Sequence, residues 1–224
     1  MFFNIPDDYK ELLGEEFFES EDYKNLEHNI MCEYLCKSYR VLPDYDNLFR
    51  AFELTPVDNV KVVIVAQDPY PSIKSMPDGL SFSSNTSGKE NRPGSLEKIF
   101  EVMGISESAK TNNLDTWAKN GVLLLNSHLT VIEGFSGSHA SQGWEILTDE
   151  IIKQLSNQKR YIVFILLGTY AKKKDKIIDK DNNHIICASH PSPRSHGSFN
   201  NMNVFEEANK FLGENAIDWK KNIV

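Results

Sequence analysis

The segment Lys61-Val-Val-Ile-Val-Ala-Gln-Asp-Pro-Tyr-Pro71 decides the fold class. It begins with an uninterrupted apolar run and changes abruptly into a polar turn with two prolines. A run of Val and Ile without polar alternation is typical of a strand buried on both faces of a sheet. The run at residues 61–65 is followed by three others of the same character, at 122–125, 161–167 and 184–187. Together they predict a parallel sheet.

Segments with helical spacing of apolar residues lie between these runs. They cover residues 95–103, 113–120, 142–155 and 203–212, and residues 25–39 and 47–52 precede the first run. Ser95 is a candidate cap for the first of them. Alternating strands and helices predict an α/β fold with a central, mainly parallel four-stranded sheet flanked by helices. We expect one domain over residues 1–224, mainly helical over 1–55, with the sheet and the active-site loops in 56–224.

The composition narrows the functional class. The chain has 224 residues, 40% of them hydrophobic, and a formal net charge of −8. This charge argues against a protein that coats nucleic acid by bulk attraction, but not against a DNA enzyme with a local binding cleft. Three cysteines and the lack of a signal sequence or a long apolar run favour a cytoplasmic protein without a membrane span. Cys32 and Cys36 are expected to be buried thiols rather than metal ligands.

Each apolar run ends in a polar, turn-rich segment. Asp68, Asn126, Gly168 and His190 lie in the segments that follow the four runs. In an open parallel sheet, ligands bind outside the carboxyl ends of the strands, so these four residues should converge on one edge. Taken alone, Asp68 is better explained as the capping residue of a turn that ends the strand. His190 opens a stiff His-Pro-Ser-Pro loop suited to a catalytic group.

The same segments, in the same order, resemble the family 1 uracil-DNA glycosylases over residues 48–220. The matching motifs are Val62-Val-Ile-Val-Ala-Gln-Asp-Pro-Tyr70, Asp78-Gly-Leu-Ser-Phe82, Arg92-Pro-Gly-Ser95, Gly121-Val-Leu-Leu-Leu-Asn126, Gly143-Trp-Glu145, Gly168-Thr-Tyr-Ala-Lys-Lys173, Ala188-Ser-His-Pro-Ser-Pro193 and Ala216-Ile-Asp-Trp219. The resemblance implies an enzyme that flips uracil out of DNA and hydrolyses its N-glycosidic bond, which initiates base excision repair.

The resemblance also implies roles for individual residues. Asp68 would orient the attacking water and stabilise the sugar cation, and a neutral His190 would donate a hydrogen bond to uracil O2. The residues implied for uracil binding are Gln67 through its backbone, Tyr70 against C5, Phe82 by stacking, and Asn126 at N3–H and O4. The residues implied for gripping DNA are Ser95, Thr169, Ser192, Arg194 and Ser195.

The implied partners are uracil-containing DNA, single- or double-stranded, and a proteinaceous glycosylase inhibitor. We expect a monomer that needs no metal or organic cofactor. The chain departs from the family at three positions: Ala66 replaces glycine, Pro71 replaces histidine, and Arg194 replaces a leucine that enters the duplex. Pro71 and Arg194 also occur in poxvirus relatives that serve as polymerase processivity partners.

Two alternatives therefore stay open. The first is a DNA-binding scaffold or processivity partner of a replication complex with weak activity. The second is an unrelated α/β hydrolase or nuclease that uses a metal. The sequence disfavours the metal enzyme because no cluster of carboxylates surrounds Asp68.

Overall fold

The computed structural model describes residues 3–192, 199 and 203–220. Eight α-helices lie in these residues: α1 (Asp7–Leu13), α2 (Glu15–Glu19), α3 (Glu21–Leu35), α4 (Arg50–Leu54), α5 (Gly94–Val102), α6 (Asp115–Lys119), α7 (Trp144–Gln158) and α8 (Val204–Leu212). The strands in the same part of the chain are β1 (Val41–Leu42), β2 (Val62–Ala66), β3 (Val122–Asn126), β4 (Val131–Ile132), β5 (Val163–Leu167) and β6 (His184–Ala188).

The large sheet has four parallel strands in the order β3-β2-β5-β6. Strands β2, β3 and β5 are buried along their full length, as expected for strands covered on both faces. The fold class predicted from the apolar runs is confirmed, and each run contributes one strand. Observed strand bounds differ from the predicted ones by one or two residues, because the strands continue to Ala66, Asn126 and Ala188 at the carboxyl edge.

Helix α7 shows how the helices cover this sheet. Its residues Trp144, Leu147, Ile151 and Leu155 are fully buried, as their spacing of three and four residues predicts. Helix α5 differs from the prediction at its start. It begins at Gly94 with Pro93 as the flanking residue, and no side chain caps it. The expectation of a Ser95 cap is therefore wrong, since Ser95 already lies in the first helical turn.

A small second sheet was not predicted. Strands β1 and β4 pair in antiparallel fashion, with Val41 opposite Ile132 and Leu42 opposite Val131. Two residues on each strand are too few to produce a recognisable alternation in the sequence. The pair ties the N-terminal helical part of the chain to the segment that follows β3.

The prediction of buried cysteines was wrong. Cys32 is exposed and Cys36 is half-buried, near the C-terminal end of α3. The outward face of α3 carries them, because the buried face is occupied by Tyr23, Leu26 and Ile30. Across the described ranges, none of the helices combines the length and the apolar character that crossing a bilayer requires.

Candidate active site

The carboxyl edge of the large sheet carries a pocket of about 400 Å³. The connections that leave the neighbouring strands β2 and β5 run in opposite directions, and ligands bind at such a point in open α/β sheets. The residues that line the pocket are Ala66, Gln67, Asp68, Pro69, Tyr70, Pro71, Phe82, Ser95, Ser136, His190 and Ser192. Residues separated by more than a hundred positions in sequence therefore share one cavity.

Asp68 lies two residues beyond the end of β2, with its carboxylate held from one side. The hydroxyl of Ser136 and the backbone N–H of Gly137 both donate to its Oδ2, at 2.9 and 2.5 Å. Two donors on one oxygen fix the orientation of the carboxylate. The side chain is half-buried at the pocket wall, where a carboxylate can face a developing positive charge.

His190 also lines the pocket, two residues beyond the end of β6. The backbone N–H of Ser192 donates to its Nδ1 at 3.1 Å. A neutral imidazole has one donor and one acceptor nitrogen, so this contact assigns the proton to Nε2. Burial lowers the pKa of His190 from its ordinary 6.5, although the nearby Asp68 carboxylate partly opposes the shift. His190 is therefore a neutral hydrogen-bond donor at neutral pH.

Gly168, directly after β5, supports the His190 ring. Its φ of +96° is a conformation that favours glycine. A Cβ at this position would lie 3.2 Å from the Cβ of His190 and 3.6 Å from its Cδ2. The backbone of the β5 loop thus packs directly against the imidazole, and no side chain fits between them.

Phe82 and Tyr70 form a wall of the pocket. The Phe82 backbone has a φ of +62°, which is unusual for a bulky residue, and its ring centroid lies 5.7 Å from that of His190. The Tyr70 hydroxyl donates to the Phe82 carbonyl at 3.0 Å, and burial raises the Tyr70 pKa. The two aromatic residues therefore hold each other in place beside His190.

Asn126 ends strand β3, where it pairs in register with Ala66 of the pocket floor. The side chain is almost fully buried, and its Oδ1 has no hydrogen-bond partner within the described part of the chain. A buried amide oxygen without a partner is destabilising unless a ligand satisfies it. An amide can pair with a ligand that offers a donor and an acceptor side by side.

The residues expected to grip DNA divide into three groups. Ser95 and Ser192 line the pocket, and Ser95 lies in the first turn of α5, where backbone N–H groups are not used within the helix. Thr169 is exposed next to Gly168 but does not line the pocket. Arg194 and Ser195 lie outside the described residues.

Sequence reasoning missed the two donors to Asp68, Ser136 and Gly137. They belong to the segment Gly134-Phe-Ser-Gly137, which follows β4 and contains two glycines with positive φ. A hydroxyl residue between closely spaced glycines after a short strand indicates a tight turn. The sequence could not predict which carboxylate this turn contacts, because the two residues in contact are 68 positions apart.

A partly buried polar cluster around His128 was also missed. The Nε2 of His128 lies 3.1 Å from Oε1 of Glu145 and 2.9 Å from the Tyr170 hydroxyl, which itself donates to Glu145. Although burial opposes it, the hydrogen bonds from His128 and Tyr170 lower the pKa of Glu145 to about 2. We call these three residues the His128 cluster; it joins the segments after β3 and β5 to the first turn of α7.

Comparisons with known proteins agree with this geometry. The family model of the uracil DNA glycosylase superfamily matches residues 52–213. A uracil-DNA glycosylase of Lactococcus lactis is 44% identical over 199 residues, which cover 85% of this chain and 90% of that protein. The crystal structure of mimivirus uracil-DNA glycosylase superimposes with a TM-score of 0.77 at 28% identity, covering 93% of this chain and 88% of that one.

A variant of mimivirus UNG solved in complex with UGI is similar to the same extent. It has a TM-score of 0.79 and 29% identity, with 96% of this chain and 86% of that chain covered. Similarity therefore extends over nearly the whole chain in sequence and in structure, and it includes the strands and loops that form the pocket.

Proposed function

The chain belongs to the uracil-DNA glycosylase superfamily, and on that premise we propose how its carboxyl-edge pocket removes uracil from DNA. The chain is a hydrolase of the N-glycosyl bond between uracil and deoxyribose, and it serves DNA repair by leaving an abasic site. One observation carries the assignment of residues. A fixed carboxylate, Asp68, and a neutral imidazole donor, His190, line a single pocket large enough for a flipped base.

The substrate nucleotide must leave the base stack before the reaction begins. The anomeric carbon of a stacked nucleotide is shielded within the duplex, so a glycosylase draws the base into a pocket of its own. Phe82 supplies an aromatic face for the extruded base, and Tyr70 closes the pocket beside it. Tyr70 would crowd C5 of the base and thereby exclude the methyl group of thymine.

Asn126 provides the selection between uracil and cytosine. Uracil presents an N–H at N3 beside a carbonyl at O4, whereas cytosine presents an acceptor beside an amino group. The unpartnered Oδ1 of Asn126 would accept from N3–H, and its amide N–H would donate to O4. A buried site built for one polar pattern rejects the other strongly, because the wrong base leaves groups unpaired.

The bond breaks with charge separation, and each charge has its stabiliser. The sugar becomes oxocarbenium-like while uracil leaves as an anion, and preorganised groups that meet such charges lower the barrier. Asp68 would face the sugar, stabilise the cation and orient the water that attacks it. His190 would donate from Nε2 to uracil O2, and the backbone N–H groups of Gln67 and Asp68 would assist there.

The protein binds the phosphates of DNA through contacts that do not depend on the base sequence. Ser95 at the start of α5 and Ser192 beside His190 line the pocket, and the first turn of α5 offers backbone N–H donors. Thr169, Arg194 and Ser195 are proposed as further contacts. For Arg194 we propose insertion into the duplex, where its aliphatic stem fills the gap left by the flipped base. Single-turnover excision by Arg194→Ala, unchanged on duplex DNA, would contradict that role.

A protein inhibitor is a further proposed partner. The solved UGI complex of mimivirus UNG supports it, since that protein shares the fold over nearly the whole of this chain. We also propose a cytoplasmic monomer. Its three free cysteines, which include the exposed Cys32, support a reducing compartment.

One assay distinguishes glycosylase, scaffold and metal enzyme. The protein is incubated with a uracil-containing oligonucleotide in the presence of EDTA, and free uracil is measured. The glycosylase releases uracil at the same rate with and without the chelator. A scaffold binds the oligonucleotide without releasing uracil, and a metal-dependent enzyme stops when EDTA is added.

A further inference from the structure

An exposed aromatic side chain lies at the rim of the active-site pocket. Phe135 is 67% exposed, although most large hydrophobic side chains of the described chain are buried. Its neighbour Ser136 lines the pocket and donates to Asp68. The preceding residue, Gly134, donates from its backbone N–H to the carbonyl of Pro71, another lining residue, at 2.6 Å. Phe135 is thus the sequence neighbour of a residue that contacts Asp68, the group assigned to the reacting sugar.

The turn that carries Phe135 is held in place by several hydrogen bonds. The Phe135 N–H donates to the Ile132 carbonyl at 3.0 Å, and its own carbonyl accepts from the Ser138 N–H at 3.2 Å. The Ser138 hydroxyl accepts from the Ile132 N–H at 2.8 Å. With the contacts from Ser136 and Gly137 to Asp68, the turn is fixed on both sides. Because the turn is already ordered, binding of a ligand to its side chain does not require the backbone to lose conformational entropy.

Phe135 makes no visible contribution to the fold. It does not belong to the hydrophobic core or to the partly buried residues that pack on it, and no ring contact in the described residues involves it. An isolated exposed apolar residue is ordinary on a protein surface. This one differs because a hydrogen-bonded turn holds it between Gly134 and Ser136, and Ser136 donates to the carboxylate of Asp68.

The charge of the molecule makes an apolar contact with DNA useful. The chain has a net charge of −8, and the described residues that line the pocket include no lysine or arginine. Affinity from counterion release is therefore limited at this rim. Stacking of a base on an aromatic ring supplies affinity that needs no charge and tolerates any sequence.

We propose that Phe135 is a stacking platform for an unpaired nucleobase adjacent to the flipped uracil. This inference rests on the proposed function, because it places the uracil nucleotide at Asp68. A base in single-stranded DNA has its face free to meet Phe135, whereas a base in a duplex is already covered by its neighbours. Phe135 therefore favours single-stranded substrate over duplex.

The test measures binding rather than cleavage. The probe is a short single strand with a central 2′-fluoro-2′-deoxyuridine, in which the fluorine disfavours the sugar cation and so prevents cleavage. We expect Phe135→Ala to weaken binding about fivefold or more, the size of one lost base–aromatic stack. Phe135→Leu should weaken binding of the probe similarly, and Phe135→Trp should bind the probe about as well as the wild type. The slope of affinity against salt should stay unchanged, because no charge is removed.

Phe211→Ala is the matched control. Phe211 is also an exposed phenylalanine, but it stacks on His184 at the amino end of β6, at the opposite edge of the sheet. Its loss should leave DNA affinity unchanged. Equal affinity of wild type and Phe135→Ala for the single strand overturns the inference, as does a leucine that binds as well as phenylalanine. A wild-type protein that does not bind the probe at all would instead contradict the proposed function.

Discussion

At the scale of single residues, the reactivity of the pocket depends on how backbone groups orient two side chains. Asp68 is oriented by the Gly137 N–H and the Ser136 hydroxyl, and His190 by the Ser192 N–H. These contacts decide which oxygen of Asp68 stays available and which nitrogen of His190 carries the proton. Neither choice is a property of the residue type alone.

The protonation state of His190 leads to a pH prediction. Burial lowers its pKa below 6.5, so the neutral form prevails at pH 7 and is lost only on the acid side of that value. Protonation places a hydrogen on Nδ1, which then can no longer accept from Ser192. We expect the rate of excision under saturating DNA to stay level above pH 6.5 and, once the lowered pKa is passed, to fall about tenfold per unit at most.

The same shift has a consequence for stability. A histidine that is harder to protonate when folded makes the unfolded chain bind more protons, so its contribution to stability declines as the pH falls below 6.5.

Comparing pH–rate profiles of wild type and His190→Gln checks the assignment of His190 as the neutral donor. A wild-type rate that rises between pH 7 and pH 6 would contradict it.

Gly168 yields a second prediction at this scale. In Gly168→Ala the new Cβ meets His190 at 3.2 Å and the positive φ is strained, so both the imidazole and the loop are displaced. We expect a destabilisation of about 1–3 kcal/mol. Excision should slow by about tenfold or more, because small errors in placing a catalytic group are costly.

Gly14→Ala is the control for Gly168→Ala. Gly14 also has a positive φ, but nothing lies within 4 Å of a Cβ there, and it separates α1 from α2. This variant should lose stability to a comparable degree yet keep its rate of excision. If Gly168→Ala excises uracil as fast as Gly14→Ala, contact with His190 is not what places the imidazole.

At the scale of secondary structure elements, the His128 cluster links loops that are remote in sequence. His128 follows β3, which carries Asn126, and Tyr170 follows Gly168, which packs on His190. Glu145 connects both to α7. The cluster therefore connects the segment that follows Asn126 with the segment that follows Gly168.

Tyr170→Phe tests this link. The variant keeps the ring but removes a hydroxyl that donates to a carboxylate and lies 2.9 Å from His128. We expect the free energy of unfolding to fall by about 1.5–3 kcal/mol, as for the loss of a hydrogen bond to a charged group. Tyr161→Phe removes the hydroxyl of a tyrosine that is 69% exposed and should change nothing. Denaturant titration of both variants provides the measurement. If Tyr170→Phe is as stable as Tyr161→Phe, the Tyr170 hydroxyl does not hold the His128 cluster together.

The elements also show what the sequence can and cannot predict. Continuous apolar runs such as the one ending at Val65 identify strands reliably, because a parallel sheet needs both faces covered. The convergence of Asp68 with His190 follows from the rule that ligands bind at the carboxyl edge, whereas the order of the strands could not be predicted from the apolar runs alone. The Ser136–Asp68 contact and the His128 cluster were not predicted, because such contacts depend on the exact spacing of loops.

At the scale of the whole molecule, an acidic protein binds an acidic polymer. The net charge of −8 opposes approach to DNA at long range, and salt reduces that repulsion. Hydroxyl groups, the start of α5 and the exposed Phe135 offer contacts that do not depend on bulk attraction. The pocket thus provides specificity locally, while the overall charge disfavours tight nonspecific binding.

We propose that Asp68, held by Ser136 and Gly137, drives excision of uracil from DNA. Single-turnover release of uracil from a saturating single-stranded oligonucleotide by wild type and Asp68→Asn tests it most directly. Asparagine preserves size and keeps one oxygen that can accept from Ser136 and Gly137, but it removes the negative charge. We predict that the rate falls by at least about a hundredfold, while the affinity for the uncleavable probe stays unchanged. If Asp68→Asn releases uracil within a few fold of the wild-type rate, the Asp68 carboxylate does not drive excision.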